Sequence, residues 1–228
     1  MNNGIERILD LRSDMSDYVF HFTKGTHSKA KETLIKILND DKIIANVNTG
    51  VICFTETPIF SLVELFEYFH KFPKPMYSPY GIAIRKEEFY KLGGRPAIYG
   101  NLSEKQLLDS SIRWRFVEYS PSKNDYSWLR EWRIKSSEIN LSTIKKIIIT
   151  KTLQDELDLA FSYNDITIDG CVLDGQFFPE YSIEVEREHK TLSIEFINHQ
   201  IIRNRKDVDN ALSSQILNEK ISIPLGSE

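Results

Sequence analysis

Cysteine is scarce: the chain of 228 residues holds two, Cys53 and Cys171, each inside an apolar run, "VICFTE" and "DGCVLDG". Without closely spaced Cys and His no zinc site is expected, and two buried free thiols are. Basic excess is missing as well. Lys and Arg number 29 against 33 Asp and Glu, a formal net charge of -4, so a protein that coats nucleic acid is disfavoured and any such contact should be a local patch. The longest apolar runs fall well short of the roughly 20 residues that span a bilayer. The polar, acidic opening "MNNGIERILDLRSD" lacks the apolar stretch of a signal peptide. Repeats and low-complexity segments are absent too. The expectation is a cytoplasmic protein with no membrane contact.

What is present is an ordinary globular balance, 41% hydrophobic and 27% charged, enough to bury a core. One domain is expected over residues 1–200, with 201–228 as a peripheral helix or loose tail. A short helix over residues 5–11 leads to the strand "YVFHF". A helix follows, capped by Ser28, with Leu34, Ile35 and Leu38 on its apolar face. Next come a strand "GVICFTETP", a helix "SLVELFEYFHKF", a strand from Tyr80 to about Arg85, a short helix and an "LGG" turn. "RPAIYG" reads as extended and "SEKQLLDSSI" as a helix capped by Ser103. "IRWRFVEYS", "YSWLREWRIK" and "IKKIIIT" read as extended, "LQDELDLAF" as a helix, and "ITIDGCVLDG" and "SIEVERE" as later strands. Many short strands with helices mainly in the first half make an α+β class, a mixed or antiparallel sheet with helices packed outside it.

Period-two alternation puts His21 and Thr23 on one face of the first strand and Phe20 and Phe22 on the other. An imidazole and a hydroxyl on such a face need partners, from the protein, water or a ligand. In "FTETP", Thr55 and Thr57 share a face, and Glu56 reads as a surface carboxylate at a strand end. Tyr80, after Pro79, can offer a flat ring at a strand mouth. In "WLREWRIK", Glu131 and Arg133 face one way and Trp132 and Ile134 the other. A carboxylate among guanidinium groups should stay ionised at neutral pH. It serves either as a catalytic anion or as half of a structural ion pair.

Taken together, "HFT", "ICFTETP", "YGIAI", "GGRPAIYG" and "REWRI" resemble, in order and over roughly residues 18 to 150, the AbiGi-like abortive-infection proteins. They are more distantly similar to the DarT-type branch of the ADP-ribosyltransferase superfamily. That resemblance implies a split, mixed β-sheet with NAD, as substrate, in its cleft. His21 and Thr23 would hold the nicotinamide end and its ribose, and Tyr80 or Tyr99 would stack on the nicotinamide. Thr55 and Thr57 would line the wall, and Glu131 would be the catalytic carboxylate. Arg95 would match the NAD-contacting arginine, with Arg133, Arg85 or Arg95 at the pyrophosphate and no metal. There is no Ser-Thr-Ser triplet, and Leu129 stands two residues before Glu131, where a Glu or Gln often marks a protein-arginine acceptor.

The resemblance therefore implies an NAD-dependent mono-ADP-ribosyltransferase, a toxin or phage-defence effector acting on a nucleic acid or a host protein. The mixed basic and indole groups "RWR" and "WLREWR" suit a single-stranded acceptor. The alternatives are a non-catalytic antitoxin or regulatory partner of a two-gene defence system, and an NAD hydrolase with water as acceptor.

Overall fold

The computed structural model describes residue 8, then residues 11–150 without a break. Beyond these it describes 151–152, 154–155, 159, 166–167, 170–173, 176–179, 182–185, 190–194, 206–207 and 221–224. In chain order the first half runs β1 (Tyr18–Phe22), α1 (His27–Asn39), β2 (Lys42–Ile44), β3 (Val51–Thr55), α2 (Ile59–His70), β4 (Gly81–Arg85) and α3 (Lys86–Lys91). Then come β5 (Arg95–Pro96), β6 (Ile98–Gly100), α4 (Leu102–Leu107), β7 (Phe116–Glu118), β8 (Glu131–Lys135), β9 (Glu138–Asn140) and β10 (Lys146–Thr150). The later strands are β11 (Ile166–Thr167), β12 (Gly170–Leu173), β13 (Gln176–Pro179), β14 (Ser182–Val185), β15 (Lys190–Ser193) and β16 (Ile221–Pro224).

The main sheet has seven strands in the order β15-β10-β4-β1-β3-β8-β5. Its pairs are antiparallel except β10 with β15. The class is α+β with a mixed sheet. Strand β16 pairs with β14, so residues near the end of the chain return to a strand near residue 183.

Pleating sorts the side chains into two layers. Val19, Ile52, Phe54, Ile82, Ile84 and Trp132 pack with Ala30, Leu34 and Leu38 of α1. Tyr18, Phe20 and Phe22 pack with Ile59, Leu62 and Phe66 of α2, together with Ala83, Ile147 and Ile149. Each helix thus covers one face, and β1 is buried from both sides. Among the described residues no helix is long and apolar enough to cross a membrane.

Several local expectations change. Helix α1 starts before Ser28, with Thr26 at the cap position, and the Ser28 hydroxyl bonds Glu32 instead. Helix α4 is capped by Asn101, not Ser103: the amide oxygen accepts the N–H groups of Ser103 and Glu104, and Glu104 reaches back to close a capping box. The "RWR" segment is a turn of 3-10 helix, Arg113–Arg115, so only Phe116–Glu118 of that stretch is strand. Likewise Ser127–Leu129 is a 3-10 turn, and extended structure resumes at Glu131. Most of the helix over residues 5–11, most of that at "LQDELDLAF" and most of the 201–228 tail lie outside the described residues. Cys171 is described only as part of β12.

Glu56 is not a surface carboxylate; it is 8% exposed. Coming after Ile52 and Phe54, it continues their face beyond the end of β3. Burial there demands partners, and Glu56 has them: Trp132 Nε1–H donates to Oε2 at 2.7 Å and Lys86 Nζ to Oε1 at 2.9 Å. Arg130 Nη2 stands 3.7 Å from Oε1. Glu56→Ala would strand the indole N–H and leave the Lys86 ammonium with the Ser16 carbonyl but no carboxylate, and should cost about 2–3 kcal/mol of folding free energy. Glu56→Gln, which keeps an acceptor for the indole, should cost less. Urea unfolding of both variants measures this, and equal losses would refute the network as drawn.

Candidate functional site

The site begins where the sheet stops pairing. Strand β1 pairs with β4 through all its residues, and β3 with β8 through all of its own. Between β1 and β3 there is a single pair, Phe20 opposite Thr55. Beyond that pair the strands part, and backbone groups on the facing edges lose their ladder partners. His21 fills one vacancy: its Nδ1 lies 2.9 Å from the Cys53 carbonyl oxygen. A carbonyl only accepts, so Nδ1 carries the proton and Nε2 is the acceptor nitrogen. Desolvation holds the imidazole below its usual pKa, the Cys53 carbonyl opposes that, and the charge of Lys24 reinforces it. The ring is therefore neutral at neutral pH. On the far side of β1, Gly81 of β4 packs so closely that a Cβ there would lie 2.3 Å from the His21 oxygen, which requires glycine.

A cleft of about 590 Å³ occupies the gap, lined by His21, Thr23, Lys24, Cys53, Tyr77 and Glu131 among others. It extends to Thr33 and Ile37 of α1 and to Asn46 and Thr49 of the loop before β3. By pleating alone, His21 follows Val19 toward α1 while Glu131, opposite Thr55, belongs to the α2 side. They share one cleft only because the gap opens through the sheet. A second cavity of about 430 Å³ shares Lys24, Tyr77, Leu129 and Glu131 and adds Arg133 and Tyr126. The two cavities meet at Glu131.

Glu131 is held from its backbone outward. The Thr55 hydroxyl donates to Leu129 O and the Thr57 hydroxyl to Trp128 O, while Thr57 N–H donates to Thr55 Oγ1 at 3.1 Å. These bonds fix the turn before β8. Arg130 then takes the left-handed conformation, φ 46° and ψ 52°, which a residue with a Cβ adopts at a cost. Its guanidinium is tied to Asp14 O and reaches Met15 Sδ at 3.1 Å. Glu131 N–H donates to the Tyr99 hydroxyl oxygen at 2.9 Å, and its carbonyl accepts Ala97 N–H at 2.7 Å. Arg133 brackets the carboxylate, Nε to Oε1 at 3.0 Å and Nη2 to Oε2 at 3.4 Å. Arg133 also gives Nη1 to the carbonyls of Phe116 (2.7 Å) and Trp114 (3.2 Å).

Burial and the Glu131 carboxylate, in that order, push the Tyr77 phenol up, so it stays protonated. Cys53 is exposed rather than buried, because the gap uncovers the middle of β3. Desolvation and then Glu131 push its thiol up to about 12, leaving it a thiol and a poor nucleophile at neutral pH.

Of the residues expected at a ligand, His21, Thr23, Thr55 and Glu131 line the cleft and Arg133 the adjoining cavity. The Thr23 hydroxyl already donates to the carbonyls of Ala30 and Tyr80, both at 3.0 Å. Tyr99 touches the Glu131 backbone, as above. Tyr80 is not brought in: it is 3% exposed, in the α1-side core, with its hydroxyl on Asp155 at 3.0 Å. Tyr80, Ile82 and Ile84 share a face, so period two itself assigns that ring to the core. Arg95 is also elsewhere, over the Tyr90 ring at 3.9 Å and bonded to the carbonyls of Tyr90 and Gly94. Tyr77 and Lys24 are two lining residues that the sequence pattern did not single out. Tyr77 lies in "PKPMYSPY", between Pro75 and Pro79, where no periodicity applies. Among the described residues no cluster of His, Cys, Asp and Glu could hold a metal ion.

No protein-family model matches the chain, and neither does any curated protein or solved structure. The functional reading rests on the site.

Because the His21 pKa is lowered on folding, the unfolded chain takes up that proton first. Stability should therefore fall as pH drops through about 6.5. His27, lowered mainly by burial and Lys151, contributes in the same direction. Urea midpoints measured from about pH 7.5 to 5 should fall less steeply for His21→Asn than for the wild type. Parallel profiles would mean that the His21 imidazole is not coupled to folding.

Proposed function

We propose that the chain is an NAD-dependent mono-ADP-ribosyltransferase with a split sheet of the ADP-ribosyltransferase type, acting as a toxin or phage-defence effector. The acceptor is a nucleic acid or a host protein. The observation that carries this reading is the shared lining of one cleft by His21 and Glu131, at the point where the sheet opens between β1 and β3. A dinucleotide laid in that cleft meets a neutral imidazole and a fixed carboxylate.

The chemistry asks for those groups. As the bond between C1′ and the nicotinamide nitrogen breaks, the nicotinamide leaves with the bonding pair and positive charge grows on the ribose. Glu131, accepting a hydrogen bond from the ribose 2′-hydroxyl, stabilises that charge. The pairing with Arg133 and the clamp by Thr55 and Thr57 keep the carboxylate in place before the substrate arrives, which lowers the reorganisation needed. His21 Nε2 accepts from a ribose hydroxyl. Tyr77, rather than Tyr80, is the ring that stacks on nicotinamide. The acceptor's lone pair attacks C1′ from the adjoining cavity, and its proton passes to Glu131 or to water.

A second reading has its own support. The Glu131–Arg133 pair is mostly buried, with side chains 11% and 20% exposed, and such a pair suits a strand-edge brace. The chain would then be a non-catalytic antitoxin or regulatory partner that binds a cognate toxin.

NAD consumption separates the two. Purified protein with NAD and total RNA, DNA or cell lysate should consume NAD and label one fraction, which names the acceptor class. Glu131→Gln should lower the rate at least about 100-fold, Tyr77→Ala should lower it strongly, and Tyr80→Phe should leave it nearly unchanged. No turnover in any mixture, with no NAD-induced rise in melting temperature, would reject the transferase in favour of the binding partner.

A further inference from the structure

A dinucleotide in this cleft brings two phosphate charges that need a cation. The arginines suggested by sequence are all engaged elsewhere. Arg133 holds Glu131 and two carbonyls, Arg95 lies on Tyr90, Arg85 lies over the Tyr18 ring at 5.1 Å, and Arg130 reaches to Asp14 and Glu56. Among the described residues lining the cleft one is a lysine or arginine, Lys24. It makes no ion pair with any described residue, and it lines the adjoining cavity too. Its charge is felt at His21 on its own side of the gap and at Cys53 on the other.

The backbone on either side of Lys24 is fixed, although its side chain is exposed. Thr23 N–H donates to Tyr80 O at 2.8 Å, and Thr23 O accepts Ser78 N–H at 3.0 Å. Gly25 N–H donates to Pro75 O at 3.2 Å, and Gly25 O accepts the Ser78 hydroxyl. Gly25 has φ +103°, a left-handed turn that residues with a Cβ rarely adopt. The segment 75–80 therefore holds both Tyr77 and Lys24 at the mouth of the gap. An ammonium without an ion-pair partner among the described residues, on a rigid turn between two cavities that meet at a carboxylate, is placed to take an oxyanion rather than to stabilise the fold.

We infer that Lys24 is the anion anchor of the cleft and holds the diphosphate of the dinucleotide. The assignment of that diphosphate rests on the transferase reading; the anion site does not. Because the side chain is exposed and makes no hydrogen bond or ion pair with any described residue, Lys24→Met should fold with an unchanged melting temperature. A point charge on a phosphate is salt-sensitive, so the contact has a signature that a packing role lacks.

Isothermal titration calorimetry with NAD and, separately, inorganic pyrophosphate tests the assignment on wild type, Lys24→Met and Lys24→Arg. NAD affinity should fall about tenfold in Lys24→Met, recover in part in Lys24→Arg, and depend more steeply on NaCl in the wild type. Unchanged NAD affinity in Lys24→Met would overturn the anchor and leave the transferase reading standing. Pyrophosphate binding that needs Lys24, with no NAD binding, would support the anion site and reject the NAD reading. Wild type that binds neither would overturn both.

Discussion

Between β1 and β3 the main sheet keeps one residue pair, and the site depends on that interruption. A continuous ladder there would satisfy every backbone group and close the sheet. Instead the Cys53 carbonyl is left without a strand partner, and the His21 imidazole supplies the missing N–H from the side. The same bond selects the tautomer, exposes Nε2 as an acceptor and keeps the gap from collapsing. A leucine or valine in this position would pack against Phe54 but would leave the carbonyl unmet. The histidine in an otherwise apolar strand is thus explained by the strand's geometry before any ligand is invoked, and the same geometry makes it available to one.

The gap has to be held open from both sides. Against β1, β4 approaches so closely that Gly81 is the residue that fits. Against β3, the threonine hydroxyls tie down the turn that leads into β8, and Arg130 reverses the chain in a left-handed residue just before Glu131. Side chains on the opposite face of the sheet brace this turn, since the Arg130 guanidinium approaches Glu56, which also holds Trp132 and Lys86. The Glu131 carboxylate on one face and the Glu56 network on the other are therefore linked through two adjacent residues, Arg130 and Glu131. Preorganisation of Glu131 is a property of this cross-sheet brace as well as of its bond to Arg133.

The strands and helices followed from local chemistry. "YVFHF" is β1 residue for residue, the "IKKIIIT" strand is β10, and the apolar spacing of α1 and α2 selects the faces they bury. Where structure and sequence differ, the cause is shared. Residue type points to Ser28 and Ser103 as caps, whereas the cap is set by where the chain first turns, at Thr26 and Asn101. Composition puts the Glu56 charge outside and the Cys53 thiol inside. The fold reverses both, since Glu56, the first residue after β3, continues the Ile52 and Phe54 face over the α1-side core while the middle of β3 faces a gap.

Residue identity and period two were enough to place His21, Thr55, Glu131 and Arg133 on strands, and to pair Glu131 with Arg133 on one face. Those are relations within one strand, set by covalent geometry. Which strands adjoin, where their pairing stops and which loop crosses the opening are long-range relations, and no local pattern encodes them. That is why Tyr77, in a proline-flanked loop where no period applies, lines the cleft, whereas Tyr80, three residues later, follows the alternation it shares with Ile82 and Ile84 into the core. It is also why Lys24, two residues after the end of β1, comes to line both cavities only once Pro75 and Ser78 fold back against its neighbours. A turn's hydrogen bonds to a distant segment decide where its exposed side chain ends up.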